Sequence, residues 1–180
     1  MDQKILPLIA IRDLAVFPGS IIPISIKRES SISALEESLS EDKQVFLSMQ
    51  KNKDQDSPSP LDLYLIGTIA SIDQIQRMPD GIINVLVSGT QKAKIKTFVQ
   101  ETPHFRVETE IIEEVDYTKE ELNVAVKPLL EHFRKLVTLG KPIPLYILPN
   151  LNSLSSPISL RDSTIANIHL MFREKQQLLE

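Results

Sequence analysis

The chain has 180 residues, a formal charge of −4, 42% hydrophobic and 24% charged residues, and no cysteine. That length fits one domain or two small ones with a sizeable core; the charge gives no general pull toward nucleic acid, and the lack of thiols excludes disulfides and thiolate metal sites. No apolar run reaches the roughly 20 residues of a membrane span and the amino terminus lacks a secretory-signal pattern, so no membrane partner is expected and the expected compartment is the cytoplasm.

Leu6 to Ile11 (LPLIAI) reads as a short buried strand. Arg12-Asp13 interrupts the apolarity, and Leu14 to Phe17 restores it until Pro18-Gly19 forces a turn. Ile21 to Ile26 (IIPISI) predicts a second strand, with Ile22, Ile24 and Ile26 on one face and Ile21, Pro23 and Ser25 on the other. Pro23 has no N–H to give to a ladder, which places this strand at an edge. Ile21 and Pro23 either close the core or form an apolar lip left open for binding. Ser30 to Ser40 predicts a helix capped by Ser30 or Ser31, its stripe being Ile32, Leu35 and Leu39. Val45-Phe46-Leu47 gives another strand, and polar Asn52 to Pro60 predicts a mobile loop.

The most informative stretch is Ile66 to Phe98, centred on the turn Met78-Pro79-Asp80-Gly81. Proline presets φ at the first corner and glycine accepts positive φ. Before the turn, Ile66, Ile69, Ile72 and Ile75 recur every third residue, which suits a helix or a strand. β-branching and the turn favour a strand, with a bulge near Ser71-Ile72 to switch its inward face. Beyond the turn, Ile83, Val85 and Val87 alternate with Ile82, Asn84, Leu86 and Ser88. After Gly89, Ala93 and Ile95 alternate with Lys92, Lys94 and Lys96. Three antiparallel strands are predicted here. Phe105 to Val115 predicts a last strand, and Glu108, Glu110, Glu113, Glu114 and Asp116 read as a solvated face running into an acidic helix start.

At Tyr117-Thr118 the pattern changes to helix periodicity. Leu122, Val126, Leu129, Leu130, Phe133, Leu136 and Val137 form one stripe, with Pro128 inside it as a predicted kink. Ser159 to Phe172 predicts a further helix. The closing EKQQLLE is strong helix-former composition with no stop signal, which predicts a piece of a longer polypeptide. The expected organisation is a β-rich lobe over 1–116 and a helical lobe over 117–180. The expected class is α+β, a twisted antiparallel sheet or pseudo-barrel followed by helices.

Signatures of chemistry are missing. There is no glycine-lysine phosphate loop, no dinucleotide fingerprint and no G-x-S-x-G elbow, and His104, His132 and His169 are far apart in sequence. No catalytic, cofactor-binding or metal residue is assigned. Lys92, Lys94 and Lys96, with Lys27 and Arg28, offer a basic strip, but without interleaved aromatics it reads better as a wet strand face than as a nucleic-acid site.

Leu6, Pro7, Leu8, Arg12, Asp13, Val16, Phe17, Pro18, Gly19 and Pro23 resemble the opening motif of ATP-dependent Lon proteases. Asp62-Leu63-Tyr64, Arg77, Pro79-Asp80-Gly81 and Gly89 to Ile95 are similar to the family's middle motifs, and Glu174 to Glu180 to the root of its long helical arm. Ser156, Pro157, Leu160 and Asp162 keep half of a further family motif. The resemblance implies an amino-terminal domain with a PUA-like β lobe and a helical lobe. It implies recognition of unfolded or damaged protein substrates and support of a homohexameric ring. The ATPase, with its ATP and Mg, and the Ser-Lys peptidase would lie downstream, so this chain itself is expected to be no enzyme. The rivals are a free-standing PUA-like nucleic-acid module and a purely structural oligomerisation domain. Apolar residues at turns and edges, Ile21, Pro23, Met78, Pro79 and Ile82, are the candidate substrate-binding patch.

Overall fold

Six strands share one sheet: β1 (Gln3–Ile11), β2 (Ile21–Ile26), β3 (Gln44–Met49), β4 (Ile66–Arg77), β5 (Ile83–Gln100) and β6 (Arg106–Ile111). The computed structural model describes residues 3–113 and 171–180, and between them Val124, Pro128, Glu131, Lys135, Thr138 and Leu139. The chain divides into two units, Met1–Glu113 with Met171–Glu180, and Glu114–Leu170. The α+β class stands, but the sheet is mixed and not antiparallel throughout. β1 and β3 run parallel, with Leu8 opposite Phe46 and Ile11 opposite Met49. A parallel pair needs a crossover, and the segment carrying β2 and the helix α1 (Glu29–Ser40) supplies it.

The sheet buries both faces. Leu6, Leu8, Phe46, Ile69, Ala93, Ile95 and Val107 meet in one core, while Ile9, Val45, Leu47, Ala70, Ile72, Val85 and Leu35 meet in another. A strand covered on both sides reads as an unbroken apolar run, which explains LPLIAI and VFLSM. The first core is enclosed by a closed circuit of pairings, since β6 joins β1 on one side and β5 on the other. The second is covered by α1, on which Ala34 and Leu35 are fully buried and Ile32 and Leu39 pack at the margin, as the stripe predicts. The predicted serine cap is not what starts this helix. Arg28 stands at the N-cap without a side-chain cap bond, Glu29 supplies the acidic first turn, and Ser31 is buried inside.

β5 corrects the prediction of three central strands. It is one 18-residue strand that runs through Gly89. Gly89 is needed for a close approach and makes no turn: a Cβ there would lie 2.2 Å from the carbonyl oxygen of Phe17. Ala15, Val16 and Phe17 are buried against this point. Gly19 N–H donates to Gly89 O at 2.8 Å, Gly89 N–H donates to Ser20 O at 2.9 Å, and buried Thr68 Oγ1 donates to Val16 O at 2.6 Å. The expected bulge exists in two parts, between Ile69 and Ala70 and between Ile72 and Gln74. The second lets Ile72 and Ile75 serve the same core. The first lets β5 pass from the α1-covered core (Val85, Val87) to the closed one (Ala93, Ile95). The turn is as predicted: Gly81 N–H donates to Met78 O at 3.1 Å, with Gly81 at φ +81°.

The polar loop after β3 is tied at both ends. Fully buried Gln50 donates through Nε2 to Asn52 O (3.2 Å) and Gln55 O (2.9 Å), and Asp62 accepts from Gln55 Nε2 at 2.8 Å. The closing composition forms the predicted helix, α2 (Phe172–Leu179). Its buried Gln176 donates to Ile66 O at 3.0 Å, which seats α2 on the start of β4. In the other unit Val124, Pro128, Glu131, Lys135 and Thr138 are helical and exposed. The apolar stripe predicted for that helix, the kink at Pro128 and the body of the helix predicted over Ser159 to Phe172 lie outside the described residues.

Candidate functional site

β6 follows β1 only from Gln3 to Pro7, and β2 follows β5 only from Ser88 to Ile83. Beyond those points the second half of β1 and the outer flank of β2 are not joined to each other. A groove of about 1060 Å³ runs in this seam, walled by Leu8–Leu14, Pro23–Ser31, Asp56–Pro58 and Glu101–Phe105 without His104. Its apolar surface comes from Ile11, Leu14, Phe105 and the prolines Pro23, Pro58 and Pro103. Pro23 explains why the edge of β2 stays open: it has no N–H to offer an added strand.

Charge inside the groove is organised around Arg12 and Arg28. Arg12 Nη2 pairs with Asp56 Oδ1 at 2.6 Å, on a side chain that is itself 88% exposed. Arg28 donates to Oε1 of Gln50, a neutral acceptor whose amide is already fixed by two carbonyls. Burial, then the like charge of Arg12, holds the Arg28 guanidinium below its usual range, with Asp56 pulling the other way. Next to the groove, His104 is buried, hydrogen-bonded through Nδ1 to Ser33 Oγ at 2.9 Å and 2.9 Å from Glu37 Oε2. Arg106 reaches the same carboxylate at 3.0 Å and Glu41 at 3.3 Å. These contacts rivet α1 to the loop before β6.

The five residues singled out from sequence fall at two places along the β2–β5 pair. Ile21 (65% exposed) and Pro23 lie opposite Ser88 and Leu86 on β5. Met78 (38% exposed) and Pro79 are at the turn, with Ile82 half-buried beside them. Ile21, opposite Ser88, stands five residue steps or about 17 Å of strand from Ile83 at the turn, and Pro23, opposite Leu86, three steps or about 10 Å. Only Pro23 lines the groove. Sequence reasoning placed Arg12 in a family motif and Arg28 in a basic strip without joining them in a groove, and it passed over Asp56, although the break of apolarity at Arg12-Asp13 was a usable signal. The basic strip is answered across the sheet: Lys94 stands opposite Glu110, and Lys96 Nζ is 3.8 Å from its carboxylate. Among the described residues no group of three or more His, Asp or Glu is placed to hold a metal ion, and no helix is long and apolar enough to cross a membrane.

A sheet closed at one half, opened at the other and plugged by one helix defines a class of domain. The family model described as the ATP-dependent protease La (LON) substrate-binding domain matches residues 5–180. The chain is 37% identical over 174 residues to a Lon protease of Azospirillum brasilense and 36% identical over 175 residues to one of Escherichia coli strain K12, in each case 97% of this chain. It spans 22% of the length of each of those relatives. The N-terminal domain of a Mycobacterium avium complex Lon protease superposes with a TM-score of 0.72 at 23% identity, covering 98% of this chain and 89% of that one. A Lon N-terminal domain protein from Xanthomonas campestris gives 0.67 at 13% identity, with 98% and 90% covered. The chain belongs to the Lon substrate-binding domain family.

Proposed function

We propose that this domain captures unfolded or damaged polypeptide for an ATP-dependent serine protease and helps to hold its hexameric ring together, without bond-breaking chemistry of its own. The ATP, Mg and Ser-Lys chemistry would belong to parts of the parent outside this chain, working in the cytoplasm. The observation that carries the reading is the groove at the open seam, with apolar residues in its wall and exposed Pro23 at its edge; Ile21, outside the groove on the same strand, adds exposed apolar surface. An unfolded client advertises side chains that a folded protein hides, so a recogniser needs accessible apolar surface more than a sequence code. Met78 adds an adaptable thioether at the turn.

The test uses a fluorescently labelled, permanently unfolded client and the 180-residue chain. The double variant I21D/M78D and the groove variant P23D are expected to bind it at least about tenfold more weakly at unchanged melting temperature, since each buries a charge against apolar client surface. Binding of all variants at wild-type strength would sink the reading. A chain that oligomerises but ignores clients would point to ring assembly alone. Binding of duplex or RNA that weakens steeply with salt would point to the nucleic-acid alternative, which the pairing of Lys94 and Lys96 with β6 disfavours.

A further inference from the structure

We infer that the groove prefers an extended client segment carrying an acidic side chain among apolar residues, its carboxylate received by Arg28 and Arg12. The inference rests on the client-binding reading above and names the chemistry of the segment that fits. Arg28 is a half-buried cation whose hydrogen bond goes to a neutral amide oxygen, and among the described residues no carboxylate forms an ion pair with it. A cation partly withdrawn from water, whose nearest counter-charge, Asp56, is paired directly with Arg12, is left in deficit, and an arriving carboxylate makes up that deficit in a charge-assisted bond. Gln50 keeps Arg28 aimed, because both carbonyls that fix its amide belong to the adjoining loop.

Asp56 shows what such a ligand looks like. It comes from a polar loop, lines the groove beside Ser57 and Pro58, and gives its carboxylate to Arg12. An ion pair this exposed holds weakly and exchanges readily. The chain thus places its own acidic segment where an incoming one would bind, so Asp56 competes with the client. Asp13, Glu29 and Glu101 also line the groove. The preference is therefore local to the two guanidiniums and is no general attraction to negative charge.

The test measures fluorescence anisotropy of two short unstructured peptides of one apolar sequence, differing only in Asp or Asn at the centre, against the 180-residue chain. The Asp peptide is expected to bind about fivefold tighter, a gap that narrows in high salt. R12Q and R28Q should each remove most of that gap while leaving the Asn peptide unaffected, and D56N should tighten the Asp peptide about threefold. Equal binding of the two peptides to wild type, or no response to R12Q and D56N, overturns the carboxylate preference and leaves the client-binding reading in place. If neither peptide binds while the unfolded client does, the groove assignment fails with it. Arg12 and Asp56 are exposed, so their variants decide the matter even if R28Q does not fold.

Discussion

The closed and open halves of the sheet are built from the same strands and end up with opposite properties. Where β6 bridges β1 and β5, every strand edge is paired and the core around Phe46, Ile69 and Val107 is sealed by backbone hydrogen bonds. Where β6 stops, covering the second core falls to side chains: α1, the buried Ala15–Phe17 segment and the His104–Glu37–Arg106 contacts. Closure by ladder removes edges and leaves no place for a visitor. Closure by packing leaves a seam, and the groove lies in that seam. The half that is less completely satisfied by its own backbone is the half that holds the groove.

The largest expected effect sets one half against the other. Phe46→Ala empties the centre of the closed core and should cost about 3–5 kcal/mol, and Leu35→Ala, under α1, about 2–5 kcal/mol. Urea denaturation measures both. Hydrogen exchange distinguishes them: L35A should speed exchange in α1 and β2 while β6 stays protected, and uniform loss of protection in both variants would show that the halves are one cooperative unit. Thr68→Val comes next. It leaves the carbonyl of Val16 without its buried donor, at about 1–3 kcal/mol. Smaller again is Glu37→Gln, which takes the charge from the contacts with His104 and Arg106. About 1–2 kcal/mol is expected, with α1 exchanging faster than β4. A change confined to β4 would remove α1 from its assigned part in closing the seam.

The strands, their faces and the turn at Met78–Gly81 were legible because burial imposes a period that survives in the sequence. What escaped depended on contacts between distant residues. Nothing in Gly89 announces that Phe17 will press against it, so a glycine between two alternating runs looked like a strand break. The parallel pairing of β1 with β3 was equally hidden, since a strand buried on both faces carries no alternation to orient it. The candidate site was half legible. Pro23 at an edge followed from its missing N–H, but Ile21 and Met78 were joined by apolarity when about 17 Å of strand separates their places. Arg28 gained its meaning only when folding placed it beside Gln50 and Arg12, whereas its sequence neighbourhood suggested a lysine-type surface charge.

The smallest effect probes only the wall of the open half. Asp62 holds the end of the Asn52–Asp62 loop, accepting from Ser59 Oγ at 2.6 Å, Ser59 N–H at 2.8 Å and Gln55 Nε2 at 2.8 Å. These bonds, the Ser59 hydroxyl first, then the Ser59 amide and Gln55, hold its carboxyl below the usual aspartate value. A carboxyl whose pKa is lower folded than unfolded stabilises the loop fully above the unfolded value of about 3.9, and that contribution is lost as pH falls through the folded value. The Ser59 amide resonance should therefore titrate with a midpoint below about 3.9 and stop titrating in D62N, while amides of β6 are unmoved by the substitution. A midpoint at or above the ordinary aspartate value would mean that Asp62 does not fasten the loop. The placing of Asp56 against Arg12 would then need another support, because the segment between Gln55 and Ser59 is what carries Asp56 into the groove.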